Sequence, residues 1–209
     1  MESYQKPGTG VWSIDVAKAE SIEGLETAAL EPVLAGTDPR YWHVKDPVVH
    51  EASDGTVVLF FCTHPFTWTS SNSAYMVRRD TPSAPGGFGP PSYDFFPRGF
   101  TWDVAVSRIT DVLYLDSVHA GLEEPTTLVF YDGAECMRDH AENSAAVRRP
   151  RGYSCEEISG LAAYQDENPK SIRRISTTQP LFLSPWGTGS SRYIHTLATD
   201  KGIIATKPS

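Results

Sequence analysis

Apolar residues occur along the chain in short runs, interrupted at brief intervals by glycine, proline and polar residues. β-branched and aromatic residues dominate these runs, which predicts strands rather than helices. The alanines and leucines between Val16 and Leu34 favour a helix, but Gly24 and Pro32 limit it to a turn or two. The pattern therefore predicts an all-β fold. The predicted strands are Val11–Val16, Val48–Glu51, Thr56–Cys62, Ala74–Arg78, Ala105–Val112, Thr127–Tyr131, Ile158–Tyr164, Arg192–Ala198 and Gly202–Thr206.

The strand pattern repeats. Each copy has a short polar start with an aspartate, an apolar strand ending in aromatic residues, and a strand of small residues. The aspartates are Asp46, in Lys45-Asp46-Pro47, and Asp103, after Trp102. Repeated strand units are typical of stacked or radial β architectures. We predict a β-propeller-like array of antiparallel sheets in which Asp46 and Asp103 occupy equivalent positions and face one central pocket. Asp54-Gly55 and Asp132-Gly133 both predict hairpin turns.

The repeat divides the chain into parts of one predicted domain, 1–209. Residues 1–40 form closing strands, 41–98 a first full unit, 99–180 a second, and 181–209 the opening strands of a further unit. Joining the two ends gives about three blades, fewer than the roughly four to eight of known propellers. Three explanations stay open: the chain is part of a longer parent, the units form no ring, or copies assemble. We expect a homo-oligomer, such as a homodimer, to complete the ring.

Composition and charge exclude several classes of function. The 209 residues are 40% hydrophobic and 11% aromatic, enough for a packed core. The net charge of −8 argues against binding to nucleic acid or to an anionic membrane. No apolar run approaches the ~20 residues of a membrane span, and the N-terminal residues lack the apolar segment of a secretory signal. Three cysteines without metal-type spacing indicate reduced thiols, so we predict a cytoplasmic protein without a metal site.

The chain resembles the five-bladed β-propeller glycoside hydrolases of family 43 and their relatives in families 32 and 130. The matching motifs are Lys45-Asp46-Pro47, Asp54-Gly55, Leu59-Phe60-Phe61, Phe130-Tyr131-Asp132-Gly133, Gly160-Leu161-Ala162 and the run from Ser184 to Tyr193. The resemblance implies three catalytic carboxylates: an aspartate as general base, a second aspartate that tunes the acid, and a glutamate that protonates the leaving oxygen. We predict no cofactor, although the resemblance allows a calcium ion in the channel, as in some relatives.

Carried over by position in the repeat, the base is Asp46 and the second aspartate is Asp103. The strand that should bear the acid, Ser191–Leu197, contains no glutamate. Glu135, Glu156 and Glu157 are the alternatives, and we assign Glu156 as the third catalytic carboxylate and Glu135 to substrate binding.

The predicted pocket also contains basic and aromatic side chains that would bind a substrate. These predicted substrate-binding residues are His64, Trp68, Arg108, Arg192 and His195. The ligand is then a saccharide or another small molecule, and the predicted function is that of a glycoside hydrolase. Two alternatives stay open: a propeller that binds a sugar or metabolite without catalysis, and a glycosidase-derived enzyme of small-molecule biosynthesis that performs cyclisation, elimination or isomerisation.

Overall fold

The computed structural model describes residues 2–4, 11–64, 71–78, 87–134, 157–184 and 190–206. The strands are β1 Glu2–Tyr4, β2 Trp12–Ala17, β3 Leu30–Ala35, β4 Trp42–Glu51, β5 Val57–His64, β6 Asn72–Val77, β7 Ser92–Phe96, β8 Val106–Leu115, β9 Thr126–Ala134, β10 Ile158–Gln165, β11 Arg173–Arg174, β12 His195–Thr199 and β13 Gly202–Thr206. Helical structure in these ranges includes the α-helix Ser117–Ala120 and the 3-10 turns Glu23–Glu26, Pro39–Tyr41 and Pro169–Ser171. No described helix is long and apolar enough to cross a membrane.

The strands form antiparallel sheets, which confirms the predicted all-β, propeller-like array. Two sheets have four strands each in chain order, β4-β5-β6-β7 and β8-β9-β10-β11. A three-stranded sheet, β1-β2-β3, precedes them and a two-stranded sheet, β12-β13, follows. A four-stranded meander is the form of a propeller blade. The predicted helical turn between Val16 and Leu34 is the 3-10 turn Glu23–Glu26, and Pro32 lies in β3, at the edge of its sheet, where the missing N–H is tolerated.

Successive units are joined in the same way by their small-residue strands. Ser71, just before β6, forms a parallel bridge with Val106 at the start of β8. Ile158, at the start of β10, forms a parallel bridge with Ser191, which precedes β12. The backbone N–H of Ile109 donates to Ser73 Oγ at 3.1 Å, which ties β6 to β8. The serines at these contacts allow the neighbouring unit to approach closely.

Strand register aligns the two full units residue by residue. Cys62 on β5 lies opposite Ser73 on β6, and Asp132 on β9 lies opposite Ser159 on β10. Asp132 therefore occupies in the second unit the position that Cys62 occupies in the first. A one-residue slip would turn every side chain to the other face of its sheet, so this alignment also fixes which residues share a face.

The same register corrects the predicted equivalence of the two aspartates. Lys45 on β4 lies opposite Cys62, and Arg108 on β8 lies opposite the β9 residue equivalent to Cys62. Arg108 is thus the counterpart of Lys45. Asp103 precedes β8 and is not the counterpart of Asp46. The similar local sequence does not mark equivalent positions, because Asp46 lies within β4 whereas Asp103 lies before the first residue of β8.

One core cluster is built around the indole of Trp102. Its ring is stacked on that of Tyr131, with centroids 5.6 Å apart, and its Nε1 donates to the Ser176 carbonyl at 3.0 Å. Gly133 and Gly160 leave the space that the indole fills. A Cβ at either position would lie 2.5 to 2.6 Å from indole carbons, closer than packing allows.

This packing explains why one of the two predicted turns is wrong. Asp54-Gly55 does form the turn between β4 and β5, and Gly55 has a φ of +82°. Asp132-Gly133, by contrast, lies within β9. Gly133 is needed there because Trp102 covers it, not because the chain turns.

Asp103 forms a buried ion pair beside this cluster. Its side chain is 0% exposed, and its Oδ2 lies 2.7 Å from Arg174 Nε and accepts from the Tyr131 hydroxyl at 3.1 Å. Arg174 also donates to the Pro97 carbonyl at 2.7 Å and lies over the Phe96 ring, 4.3 Å from its centroid. The pair connects β11 to the segments on both sides of Trp102, so its role is structural.

Replacing Arg174 tests that role. Arg174→Ala would leave the Asp103 carboxylate buried without its cation, and we expect the free energy of unfolding to fall by about 3–5 kcal/mol. Arg173→Ala, an exposed neighbour on the same short strand, is the matched control and should change it by no more than about 0.5 kcal/mol. Urea unfolding measures both. Equal stability of the two variants would contradict a structural role for the pair.

Candidate active site

A single buried guanidinium group joins three carboxylates. Arg108 Nη1 lies 3.3 Å from Asp46 Oδ2, and Nη2 donates to Asp132 Oδ2 at 3.0 Å and to Glu157 Oε2. The Arg108 side chain is 5% exposed, and those of Asp46, Asp132 and Glu157 are 14%, 0% and 12% exposed. We call these four residues the carboxylate cluster. Burial disfavours the charged guanidinium, but the three carboxylates outweigh it and raise the pKa of Arg108 well above its usual value.

The cluster is assembled by strand register. Arg108 and Asp132 are direct partners on β8 and β9, so their side chains lie on the same face of the second full sheet. Glu157 immediately precedes β10, the next strand of that sheet. Asp46 comes from β4, the first strand of the neighbouring sheet. The cluster therefore lies where two sheets meet.

Asp46 is held in its ionised form. Its carboxylate contacts Lys45 Nζ at 3.3 Å and accepts from the Cys62 thiol at 3.3 Å. Burial acts to raise the pKa of Asp46, but Arg108, Lys45 and the Cys62 hydrogen bond together lower it. Its backbone has a φ of +52°, in the left-handed region, which Asp tolerates better than most residues. This local turn, before Pro47, directs the carboxylate towards Arg108.

Asp132 has the opposite protonation behaviour. Both of its carboxylate oxygens lie 3.1 Å from the backbone N–H of Tyr193, which donates to them. Complete burial raises the pKa of Asp132 to about 7; Arg108 lowers it and Glu157 adds to the rise. One guanidinium is shared among three carboxylates, and the most deeply buried one loses most on ionising. Near neutral pH the cluster therefore contains an ionised Asp46 and an Asp132 that can carry a proton.

Arg192 and Tyr193 form the more exposed side of the cluster. Arg192 Nη1 lies 3.4 Å from Glu157 Oε2, and its side chain is 42% exposed. Arg108 Cζ lies 4.5 Å from the centroid of the Tyr193 ring, and Arg192 Cζ lies 5.3 Å from it, so both guanidinium groups make cation–π contacts. Tyr193 has a φ of +55°. That turn removes the first residues of the predicted strand Arg192–Ala198, and β12 begins at His195.

A cavity of about 270 Å³ adjoins the cluster. Asp46 belongs to both, so the cluster borders the space that a ligand could fill. The other lining residues are Pro47, Val48, Ile109, Thr110, Tyr193 and His195. The apolar side chains, together with the tyrosine ring and a few polar groups, form the mixed surface typical of small-molecule sites.

His64 and Cys62 support Asp46 from inside the first full sheet. Cys62 Sγ lies 3.9 Å from His64 Nε2, and both residues are buried. Burial lowers the pKa of His64 to about 3, with Lys45 adding to the effect, so the imidazole is neutral. Burial and the nearby Asp46 raise the pKa of the Cys62 thiol well above its usual value, so the thiol donates and does not act as a nucleophile.

The structure brings together some of the residues predicted from sequence. Asp46, Arg108 and Arg192 meet at the cluster, His195 lines the cavity, and His64 lies behind Asp46. Their predicted roles in catalysis or binding stay predictions. Trp68, Glu135 and Glu156 lie outside the described residues.

Asp103 does not join Asp46, which corrects the prediction that they face one pocket. Asp103 contacts Tyr131, whereas Asp132, the next residue on β9, contacts Arg108. Successive strand residues point to opposite faces, so the Asp103 pair and the carboxylate cluster lie on opposite faces of the sheet.

Sequence reasoning missed Asp132 as a site residue and considered Glu157 only as an alternative. Asp132 was not considered because the sequence Asp132-Gly133 predicts a hairpin turn. Asp132 aligns with Cys62 of the first unit, and each lies opposite a serine on the following strand. That alignment could have identified Asp132 as a site residue. Among the described residues, no group of three or more His, Cys, Asp or Glu side chains is placed to hold a metal ion.

Comparisons with known proteins add little to this geometry. No protein-family model and no curated protein matches the chain. Two solved structures are similar to it. The intramolecular trans-sialidase from Ruminococcus gnavus, in complex with oseltamivir carboxylate, is 11% identical over 85% of this chain and 42% of its own, with a TM-score of 0.35. The NanB sialidase from Streptococcus pneumoniae is 12% identical over 91% of this chain and 34% of its own, with a TM-score of 0.34.

The chain thus spans less than half the length of either sialidase. Both scores are low, so the description of the fold rests on the strand pairing.

The raised pKa of Asp132 predicts the pH dependence of stability. Between about pH 4 and 7 the unfolded chain loses this proton while the folded chain keeps it, so stability falls as pH rises. We expect Asp132 to contribute a slope of up to about 1.4 kcal/mol per pH unit, which Asp132→Asn should remove. Urea unfolding of both proteins between about pH 5 and 7 measures it. Asp200→Asn, an exposed control, should keep the wild-type slope; a slope retained in Asp132→Asn would contradict the assignment.

Proposed function

We propose that this chain is a carbohydrate-active enzyme of the glycoside hydrolase type, with Asp46 and Glu157 as its catalytic carboxylates. The observation that carries the proposal is that one buried arginine joins two partly exposed carboxylates, one of which lines a cavity. Cleavage of a glycosidic bond needs a group that protonates the leaving oxygen and an ionised carboxylate that activates water or attacks the sugar.

Asp46 is assigned the role of the ionised carboxylate. Its lowered pKa keeps it charged at neutral pH, and it borders the cavity. Lys45 and Cys62 both contact the carboxylate, so its orientation is set before a substrate binds.

Glu157 is assigned the delivery of the proton, with Asp132 as its tuning partner. Both carboxylates accept from the same Arg108 nitrogen, so they are immediate neighbours. Asp132 can hold a proton up to about pH 7 but is fully buried, whereas Glu157 is partly exposed and reaches Arg192 at the rim. A pair of acids with different environments is the usual means of running acid and base chemistry at one pH.

A second candidate, binding without turnover, is favoured by a specific observation. All three carboxylates already accept hydrogen bonds from Arg108, so each carboxylate has a partner without a ligand. In that case Arg192 and Tyr193 would recognise a sugar or metabolite and no bond would break. An enzyme of small-molecule biosynthesis would use the same acid and base on another substrate.

The dependence of turnover on the leaving group of the substrate distinguishes these functions. A panel of 4-nitrophenyl glycosides and the corresponding methyl glycosides would first identify a substrate. Asp46→Asn should reduce turnover of both kinds about 10²–10⁴-fold. Glu157→Gln should cause such a loss only with methyl glycosides, because 4-nitrophenolate leaves without protonation.

Two exposed carboxylates provide the controls. Asp200→Asn and Glu124→Gln change the same chemical groups outside the site and should keep full turnover. Full activity of both Asp46→Asn and Glu157→Gln would overturn the proposed mechanism. Calorimetric binding of a saccharide, with no product after prolonged incubation, would establish the binding function instead.

A further inference from the structure

The strand β13 leaves an open sheet edge. It pairs with β12 on one side, in a regular register from His195↔Thr206 to Thr199↔Gly202, and no described strand pairs with its other side. Its sequence, Gly202-Ile203-Ile204-Ala205-Thr206, contains no charge and no proline. Proteins usually protect a free edge with lysine, proline or a bulge, because an unprotected one pairs with another chain.

The edge is also apolar. Ile203 and Ile204 are 50% and 52% exposed, and Leu197, opposite Ile204 on β12, is 63% exposed. β12-β13 belongs to a unit that starts as the second full unit does, since Ser159 Oγ donates to the Ser191 carbonyl as Ser73 Oγ donates to the Ser107 carbonyl. Both full sheets have four strands and this one has two. Two further strands would give this sheet the four strands of the full units.

We propose that a second copy of this chain supplies them, through antiparallel pairing of β13 with the partner's β13 about a two-fold axis. Such pairing is necessarily antiparallel and self-complementary, and it produces a four-stranded sheet in the order β12-β13-β13-β12. Centred on Ile204, the pairing engages all five residues of the strand. It places Ile204 against the partner's Ile204, with Leu197 and the partner's Leu197 flanking them on the same face.

The neighbouring surface suits a second copy. An apolar groove of about 470 Å³ lies beside β13 and is lined by Phe130, Leu181, Phe182, Ile194, Ala205 and Thr206. Leu181 and Phe182 are 46% and 42% exposed, so the apolar area extends beyond the edge itself. Despite the net charge of −8 on the whole chain, the β12-β13 hairpin carries one acidic and one basic residue, Asp200 and Lys201. Repulsion between two copies is therefore weak at this surface.

Light scattering on the full chain tests the proposal directly. We expect a particle of twice the 23.0-kDa chain mass, and Ile204→Lys should convert it to the monomer. Ile22→Lys changes an isoleucine that is 81% exposed outside the patch and should leave the dimer intact. Circular dichroism verifies that both variants remain folded. A wild-type chain that stays monomeric across concentrations would overturn the proposal.

A cross-linking variant tests the register without disturbing the edge. Residues directly opposite each other in an antiparallel pair have Cα atoms about 4.5–5.5 Å apart, within the range of a disulfide. Ile204→Cys, in a background with Cys136 and Cys155 replaced by serine, should form a covalent dimer on mild oxidation. Ile22→Cys in the same background should not. A dimer that survives Ile204→Lys and is not cross-linked by Ile204→Cys would show that another surface joins the copies.

Discussion

The buried guanidinium of Arg108 is the interaction on which the rest of the site depends. Its carboxylate partners come from β4, from β9 and from the residue before β10, so one side chain holds two sheets in a fixed relation. Removing three carboxylates and a cation from water is costly, and a buried ionic group adds little net stability compared with apolar packing. Such an arrangement benefits a protein most where the charges bind a ligand or take part in catalysis. The cost of the cluster therefore favours function over stability as its explanation.

Successive side chains of β9 point to opposite faces of the sheet, and one face packs the core while the other forms the candidate site. Tyr131 points to the face where Trp102 packs and Asp103 pairs with Arg174, and Asp132 points to the face of Arg108. The first face carries an aromatic core and a closed ion pair. The second face carries the carboxylate cluster, which adjoins the cavity. A shift of one residue in β9 would exchange the two faces, so the tight packing of the indole on Gly133 also holds the site in register.

Much of the fold could be predicted from sequence, because short runs of β-branched and aromatic residues identify strands with little context. The candidate site was predicted only in part. Asp46, Arg108 and Arg192 attract attention as charged residues beside apolar strands, and they do meet. The partnership of Arg108 with Asp132 depends on the register of β8 against β9. No local pattern contains that information, and for that reason Asp103 was the wrong partner for Asp46.

Backbone strain completes this picture of the site. Asp46 and Tyr193 both have left-handed φ values, although neither is glycine. A non-glycine residue in this region costs of order 1–3 kcal/mol and persists only where its surroundings enforce it. Here the surroundings are the charges themselves: Arg108 holds the Asp46 carboxylate, and Asp132 holds the Tyr193 backbone N–H. Ion pairing thus maintains two strained turns, and those turns direct the charges. The charged groups are therefore oriented before any ligand enters the cavity, as electrostatic catalysis requires.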